Sequence, residues 1–266
     1  MNTHTLLLID VGNSRIKYWF YHAKNPLLAD SEVPAISHDN DASVTMLRPV
    51  WQKESEVHDV PSEIRISHVA RPELFEQICS LCAKLWPNAI IRRLHTLAHH
   101  PRLELGYDHQ QMGSDRYAQI LGAQAIAHDH DHIVIGAGTA LTLDGVFAGG
   151  QHIGGVITAG VNLMRKVLHQ YTAQLPLEGG SFCTERAPQK TTNAIATGVM
   201  LSTLGSIDQF VQRYFQQRTP ELLFCGGDAQ LLMNACLETP NLAHLTLRYT
   251  PALCLLGLLQ RDETLL

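Results

Sequence analysis

The chain opens with an apolar run, Leu6 to Ile9, that ends in Asp10 and passes through the small polar turn Gly12-Asn13-Ser14-Arg15. Apolar positions then resume from Ile16 to Trp19. That pattern predicts two strands, 5–10 and 16–21, joined as a hairpin, with a third strand over 31–36. EIRISHVA (63–70) and AIIRRL (89–94) read as further strands, LFEQICSLCAKLW (74–86) as a helix of 3.6-residue period, and a second helix starts at Asp115. From His132 the pattern repeats. HIVIGAGTALTLDGVF (132–147) is again an apolar strand, a Gly-centred turn and a second strand, and it aligns Asp10 with Gly136, Gly12 with Gly138 and Asn13 with Thr139.

After this second hairpin come a strand, QHIGGVIT, a helix, VNLMRKVLHQY, and a polar loop over 177–190. A long helix over 191–215 follows, then ELLFC, a helix over 229–237, AHLTLRY and a helix over 252–259. Three strands followed by helices alternating with single strands describe a mixed sheet covered on both faces. The expectation is an α/β protein of two ribonuclease H-like lobes, 1–128 and 129–266, related by duplication.

Composition changes little in this picture. The chain has 266 residues, 45% hydrophobic and 17% charged, with a formal net charge of −5, which gives no electrostatic reason to expect nucleic acid or a membrane surface as partner. No stretch reads as a membrane span or a signal peptide, so the expected location is the cytoplasm. The six cysteines follow no disulfide framework, and Cys79 and Cys82, a CxxC, lie in a helical pattern and read as structural thiols. His128, His130 and His132 alternate in HDHDH; on an extended strand they would share a side fit for a metal, whereas a solvated connector at the junction of the lobes is the simpler reading.

The two hairpin turns carry the first chemical signal. Turns rich in Gly, Asn, Ser and Thr present backbone N–H groups and hydroxyls to phosphate oxygens, Asp10 offers a carboxylate for water-bound Mg²⁺, and Lys17 can reach a transferred phosphoryl group. Either turn alone is also what an ordinary hairpin requires. In GSDRYAQILGAQAIA, Ser114 reads as a helix N-cap, with Asp115 and Arg116 in the first turn. The helix dipole favours ionised Asp115 and opposes Arg116, so the arginine suits a ligand carboxylate better than its local setting. FCGGDAQLL (224–232) joins a strand to a helix through Gly226 and Gly227, where backbone can approach a nucleotide; Thr191 and Thr192 open the long helix.

Taken together these segments resemble the type III pantothenate kinases of the acetate kinase, sugar kinase, heat-shock chaperone and actin superfamily. DVGNSRIK is similar to that family's first phosphate motif, GSDR to its pantothenate motif, GAGTALTLD to its second phosphate motif and CGGDA to its adenosine motif, all in family order. The resemblance implies ATP-dependent phosphorylation of pantothenate, the first step of coenzyme A biosynthesis, by a homodimer. It implies Asp115 as proton acceptor, with Tyr107, Gly113, Ser114, Arg116 and Thr191 around pantothenate. Asp10, Val11, Gly12, Asn13, Ser14, Arg15, Ile16 and Lys17 would wrap the ATP phosphates with Thr139, and Gly226 and Gly227 would meet the adenosine. The family's aspartate for a monovalent cation such as K⁺ is replaced here by Gly136, which puts K⁺ dependence in doubt, and Ala159 stands where the family has Pro before Gly160. A non-catalytic nucleotide-binding regulator of the same fold is the alternative reading.

Overall fold

The computed structural model describes residues 5–38 and 43–260. The chain folds as two compact units. One holds residues 1–129, 148–153 and 250–266, the other 130–147 and 154–249, so the short segment after the second hairpin and the last helix belong with the N-terminal unit.

In the first unit the strands are β1 (Leu6–Val11), β2 (Arg15–Tyr21), β3 (Ala35–Ser37), β4 (Glu63–His68) and β5 (Ile90–Arg93). They form one sheet in the order β3-β2-β1-β4-β5, with β1–β2 and β2–β3 antiparallel and β1–β4 and β4–β5 parallel. This unit also holds the helices α1 (Ser43–His58), α2 (Pro72–Leu85), α3 (Ser114–Ala127) and α7 (Leu253–Leu259), and the short strands β6 (His99–His100) and β7 (Leu103–Leu105). In the second unit β8 (His132–Ala137), β9 (Ala140–Phe147), β11 (Glu221–Cys225), β12 (Leu247–Tyr249) and all but the first three residues of β10 (Gln151–Ala159) are ordered β10-β9-β8-β11-β12, with α4 (Val161–Gln170), α5 (Thr191–Tyr214) and α6 (Ala229–Leu237). The same strand order recurs in the same chain order: the duplicated ribonuclease H-like plan read from the hairpins is the plan of the fold.

Strand pleat assigns the residues of β1 to two faces. Leu7, Ile9 and Val11 join Ile16, Tyr18, Phe20, Ile64 and Ile66 in a core closed by Trp51 of α1 and by Trp86, with the rings of Tyr18 and Trp51 5.8 Å apart and those of Phe20 and Trp86 also 5.8 Å apart. Leu6, Leu8 and Asp10 face the other way, towards α7. On that face the buried Arg65 of β4 donates through Nη1 to the carbonyl of Leu258 at 2.8 Å and through Nε to Glu63 at 2.7 Å, which pairs the cation and ties the end of α7 to the sheet.

Several local expectations change. The whole of α1 is absent from the sequence reading, because Pro49 interrupts the helical signal, yet Leu47 and Trp51, four residues apart, are fully buried. β6 and β7 are likewise unforeseen, and the strand expected over 243–249 shrinks to Leu247–Tyr249. His128, His130 and His132 do not share one side of a strand. His128 follows α3 and bonds Gln124 at 2.8 Å, whereas His132 is buried in β8 with Nδ1 2.8 Å from the His130 carbonyl, and no metal-binding group is found among the described residues. Cys82 is buried in α2, and burial pushes its thiol well above the ordinary cysteine range, in keeping with a structural role. α5 passes for a membrane span by length and composition alone, but 56% of its most apolar window is buried, as in a core helix.

α3 and α7 cross at glycines on both sides. A Cβ on Gly257 would lie 1.9 Å from the carbonyl oxygen of Ala118, and one on Gly122 would lie 2.0 Å from that of Leu253. Since both obstacles are backbone, Gly257→Ala is expected to cost about 3 kcal/mol, the upper part of the range for overpacking. Gly198→Ala, on the exposed side of α5 with open space around it, should instead stabilise by about 0.5–1 kcal/mol through helix propensity. Urea denaturation of the two variants checks the pair; equal effects would contradict the tight crossing.

Candidate active site

The first hairpin turn is closed by Gly12 N–H donating to the Arg15 carbonyl at 3.0 Å, after the last ladder pair Val11–Ile16. Its bracing comes from a residue that the sequence reading passed over. His38, buried just beyond β3, donates from Nε2 to the Gly12 carbonyl at 2.6 Å, while its backbone N–H bonds the Ser14 carbonyl at 3.1 Å. Asn13 and Arg15 are exposed and Ser14 and Lys17 half-buried, so the turn displays its polar groups from a rigid base.

Asp10 sits directly across the ladder from Lys17 and is 8% exposed. Burial pushes its carboxyl up to about 6; Lys17 pulls it down, the nearby Asp115 pushes it up, and a hydrogen bond from Cys254 of α7 pulls it down. Its Oδ1 is buried without a hydrogen-bond partner among the described residues. A buried, unpaired carboxylate oxygen beside a cation fits the hard oxygen donor that a divalent cation carrying nucleotide phosphates takes.

α3 supplies the second carboxylate. Gly113, not Ser114, is the N-cap, with extended backbone and no side-chain cap. The Ser114 hydroxyl is committed elsewhere. It accepts from the His68 N–H at 3.0 Å, donates to the His68 carbonyl at 3.1 Å and meets Ser67 Oγ at 3.2 Å, which pins the start of α3 to the end of β4. Asp115 Oδ1 accepts the Arg116 N–H at 2.8 Å and would lie only 2.7 Å from a Cβ on Gly113, so glycine there leaves room for the carboxylate. Arg116 is buried and its guanidinium lies 4.9 Å from the centre of the half-buried Tyr107 ring. Tyr107 is carried there by Gly106, where a Cβ would lie 2.0 Å from the His152 carbonyl oxygen. Asp10, Lys17, Tyr107, Gly113, Ser114, Asp115 and Arg116 thus all belong to the first unit.

The remaining site residues belong to the second unit. Gly136 is buried in β8 opposite Thr142, so the Asp10–Lys17 pair of the first hairpin has Gly and Thr as its counterpart. Gly138 N–H closes the turn on the Ala140 carbonyl at 3.1 Å, and the exposed Thr139 gives its carbonyl to Gly160 N–H at 2.9 Å. Gly160 admits no side chain, since its Cβ would lie 2.1 Å from the Gly138 oxygen. Gly226 has φ +103° and passes so close to β8 that a Cβ would lie 2.3 Å from the Ala137 oxygen. The same carbonyl accepts Asp228 N–H at 3.0 Å, and Asn162 of α4 reaches both oxygens of Asp228 at 3.2 Å. The second turn, the start of α4 and the exposed Gly227 are thereby brought together. Beyond them α4, α5 and α6 line a cavity of 310 Å³ with Val161, Phe182, Val199, Leu231, Arg165 and Glu238 among its walls. Thr191, exposed, opens α5, and Lys190 rather than either threonine is its N-cap.

The raised carboxyl has a stability consequence. Its folded value of about 6 exceeds the unfolded 3.8, so Asp10 favours folding below pH 3.8 and opposes it above about 6. In the metal-free protein, Asp10→Asn is expected to raise the unfolding free energy at pH 8 by on the order of 2–3 kcal/mol, an advantage that disappears at pH 3.5. Denaturant titrations at the two pH values check this; a variant less stable than wild type at pH 8 would contradict it.

A family model for type III pantothenate kinase matches residues 6–213. A type III pantothenate kinase from Dichelobacter nodosus is 32% identical over 234 residues, covering 85% of this chain and 88% of that protein. One from Cupriavidus pinatubonensis is 31% identical over 259 residues, covering 90% and 94%. Among solved structures, a propionate kinase from Francisella tularensis superposes with a TM-score of 0.51 at 10% identity, covering 96% of this chain and 98% of that one. An activator of 2-hydroxyisocaproyl-CoA dehydratase from Clostridium difficile, with bound ADPNP, gives 0.51 at 10% identity, covering 95% and 92%. These structural likenesses speak to the fold, that of the actin-like ATPases and sugar kinases, and the sequence matches speak to the family. Motif order, fold and relatives agree, and the chain belongs to the type III pantothenate kinase family.

Proposed function

We propose that Asp115 accepts the proton of the pantothenate primary hydroxyl while that oxygen attacks the γ-phosphorus of ATP and ADP departs. The transferase reaction is the family's own, ATP-dependent phosphorylation of pantothenate in coenzyme A biosynthesis, with a divalent cation accompanying ATP. The observation that carries the residue assignment is the first turn of α3: a carboxylate given room by Gly113, followed by a buried arginine laid over Tyr107. Arg116 takes the pantothenate carboxylate through its planar fork, Tyr107 lies along the substrate, Gly113 and Ser114 shape the pocket, and Thr191 contributes a hydroxyl.

Asp10 to Lys17 wrap the phosphates, with Asp10 holding Mg²⁺ through water and Lys17 offsetting charge on the transferred group. In the second unit Thr139 offers a hydroxyl to the phosphates of ATP, and Gly226 and Gly227 admit the adenosine towards the apolar cavity walled by Leu231 and Phe182. A divalent cation held by Asp10 would supply charge neutralisation for the phosphates of ATP. Because phosphoryl transfer has a loose transition state, orientation and charge stabilisation carry most of the rate, and proton removal by Asp115 completes it late. Exposed Val156 and Ile157 on β10 with Val167, Leu168 and Tyr171 around α4 support a homodimer, and a cytoplasmic location suits its substrates.

Asp115→Asn is expected to lower kcat by on the order of 10² to 10⁴, the scale of general-base catalysis. Steady-state assay of phosphopantothenate formation measures it, and near wild-type turnover would remove Asp115 from the mechanism. Gly136 has no side chain to offer a monovalent cation, so turnover in Na⁺ or Tris buffer should stay near that in K⁺. Activity that appears only with K⁺ would sink this reading.

A further inference from the structure

His38, buried just past the end of β3, gives two hydrogen bonds to the first hairpin turn. Its backbone N–H donates to the Ser14 carbonyl at 3.1 Å, continuing the β2–β3 ladder beyond the Arg15–Ser37 pair, and its Nε2 donates to the Gly12 carbonyl at 2.6 Å. A carbonyl only accepts, so the imidazole carries a hydrogen on Nε2. The second turn is held by other means: Thr139 gives its carbonyl to the backbone N–H of Gly160 at 2.9 Å. A side chain thus does for the first turn what main chain does for the second.

We propose that His38 is a positioning residue for ATP binding: by holding the Gly12 carbonyl it sets the plane of the Gly12–Asn13 peptide and aims the Asn13 N–H at the nucleotide phosphates. In a planar trans peptide the C=O and N–H point in opposite directions. A Gly12 carbonyl drawn to His38 therefore turns the Asn13 N–H away from that ring, at the exposed tip of the turn. Without the donor this peptide rotates readily, because residue 12 has no Cβ to restrict its backbone. A peptide already aimed at its ligand loses less conformational freedom on binding, so the bond to Gly12 strengthens the grip on ATP without touching it. The ladder bond from the His38 N–H does not depend on the ring. Side-chain substitutions therefore leave the end of β3 tied to Ser14 while removing the bond to Gly12.

The inference rests on the first turn as a phosphate site, and the experiment separates the two. The dissociation constant of Mg²⁺·ATP is measured by isothermal titration calorimetry on full-length wild type, His38→Phe, His38→Asn, His38→Gln, Asn13→Pro and Asn13→Pro with His38→Phe. Phe fills the space without a donor, and the amide of Asn is too short to reach Gly12. Both should weaken binding by roughly 3- to 10-fold, the scale of one hydrogen bond. Gln, whose amide nitrogen stands near the place of Nε2, should stay within about 2-fold of wild type. Asn13→Pro deletes the N–H itself and should weaken binding; adding His38→Phe to it should then change affinity by less than about 2-fold. Wild-type affinity in both the Phe and Asn variants, a loss in His38→Gln equal to that in His38→Phe, or an undiminished Phe loss in the Asn13→Pro background would overturn the positioning role. Wild-type affinity in Asn13→Pro alone would instead overturn the assignment of this turn to the phosphates.

Discussion

A carboxylate buried at the end of a core strand is the constraint around which the first unit is built. Asp10 is the last residue on the β1 face that otherwise shows Leu6 and Leu8 to α7, and its charge is opposed by burial and by Asp115. Lys17, directly across the ladder, and the Cys254 thiol offset part of that cost. An unpaired buried carboxylate is costly for folding alone, because desolvation of a charge exceeds what one thiol and one half-exposed ammonium return. Such a group makes physical sense where a bound cation completes its environment.

The surrounding framework holds that group and its neighbour Asp115 in place by backbone contact. Gly257 and Gly122 let α3 and α7 approach to a distance that no side chain would tolerate, and Ser114 ties the first turn of α3 to β4. The second unit repeats the strand order but not the chemistry. Where β1 and β2 pair Asp10 with Lys17, β8 and β9 pair Gly136 with Thr142, so duplication conserved the hairpin while the charge pair stayed on one side. Close backbone approach does the work there instead, through Gly160 on Gly138 and Gly226 on Ala137.

Much of this was legible in the chain because it rests on local signals. The acid-ended strand, its Gly-centred repeat and the GSDR and CGGD segments each combine a period with a turn residue, and all four fall where the fold presents them. What escaped the sequence depends on contacts distant along the chain. His38 reaches Gly12 from 26 residues away, and Cys254 meets Asp10 from near the other end of the chain, in positions where no period or motif distinguishes them. Ser114 looked like a cap because its type and place fit one, yet its hydroxyl serves β4, a choice that only tertiary packing could reveal. In α1 the packing of Leu47 and Trp51 overrides the preference of Pro49 against a helix interior.

The account stands on one claim, that this chain transfers phosphate from ATP to pantothenate. Phosphorus-31 magnetic resonance of the purified protein with Mg²⁺·ATP and pantothenate tests it most directly. The account predicts a phosphomonoester signal for 4′-phosphopantothenate growing in step with ADP. Nucleotide binding without that signal, or ADP release that pantothenate does not alter, would contradict it.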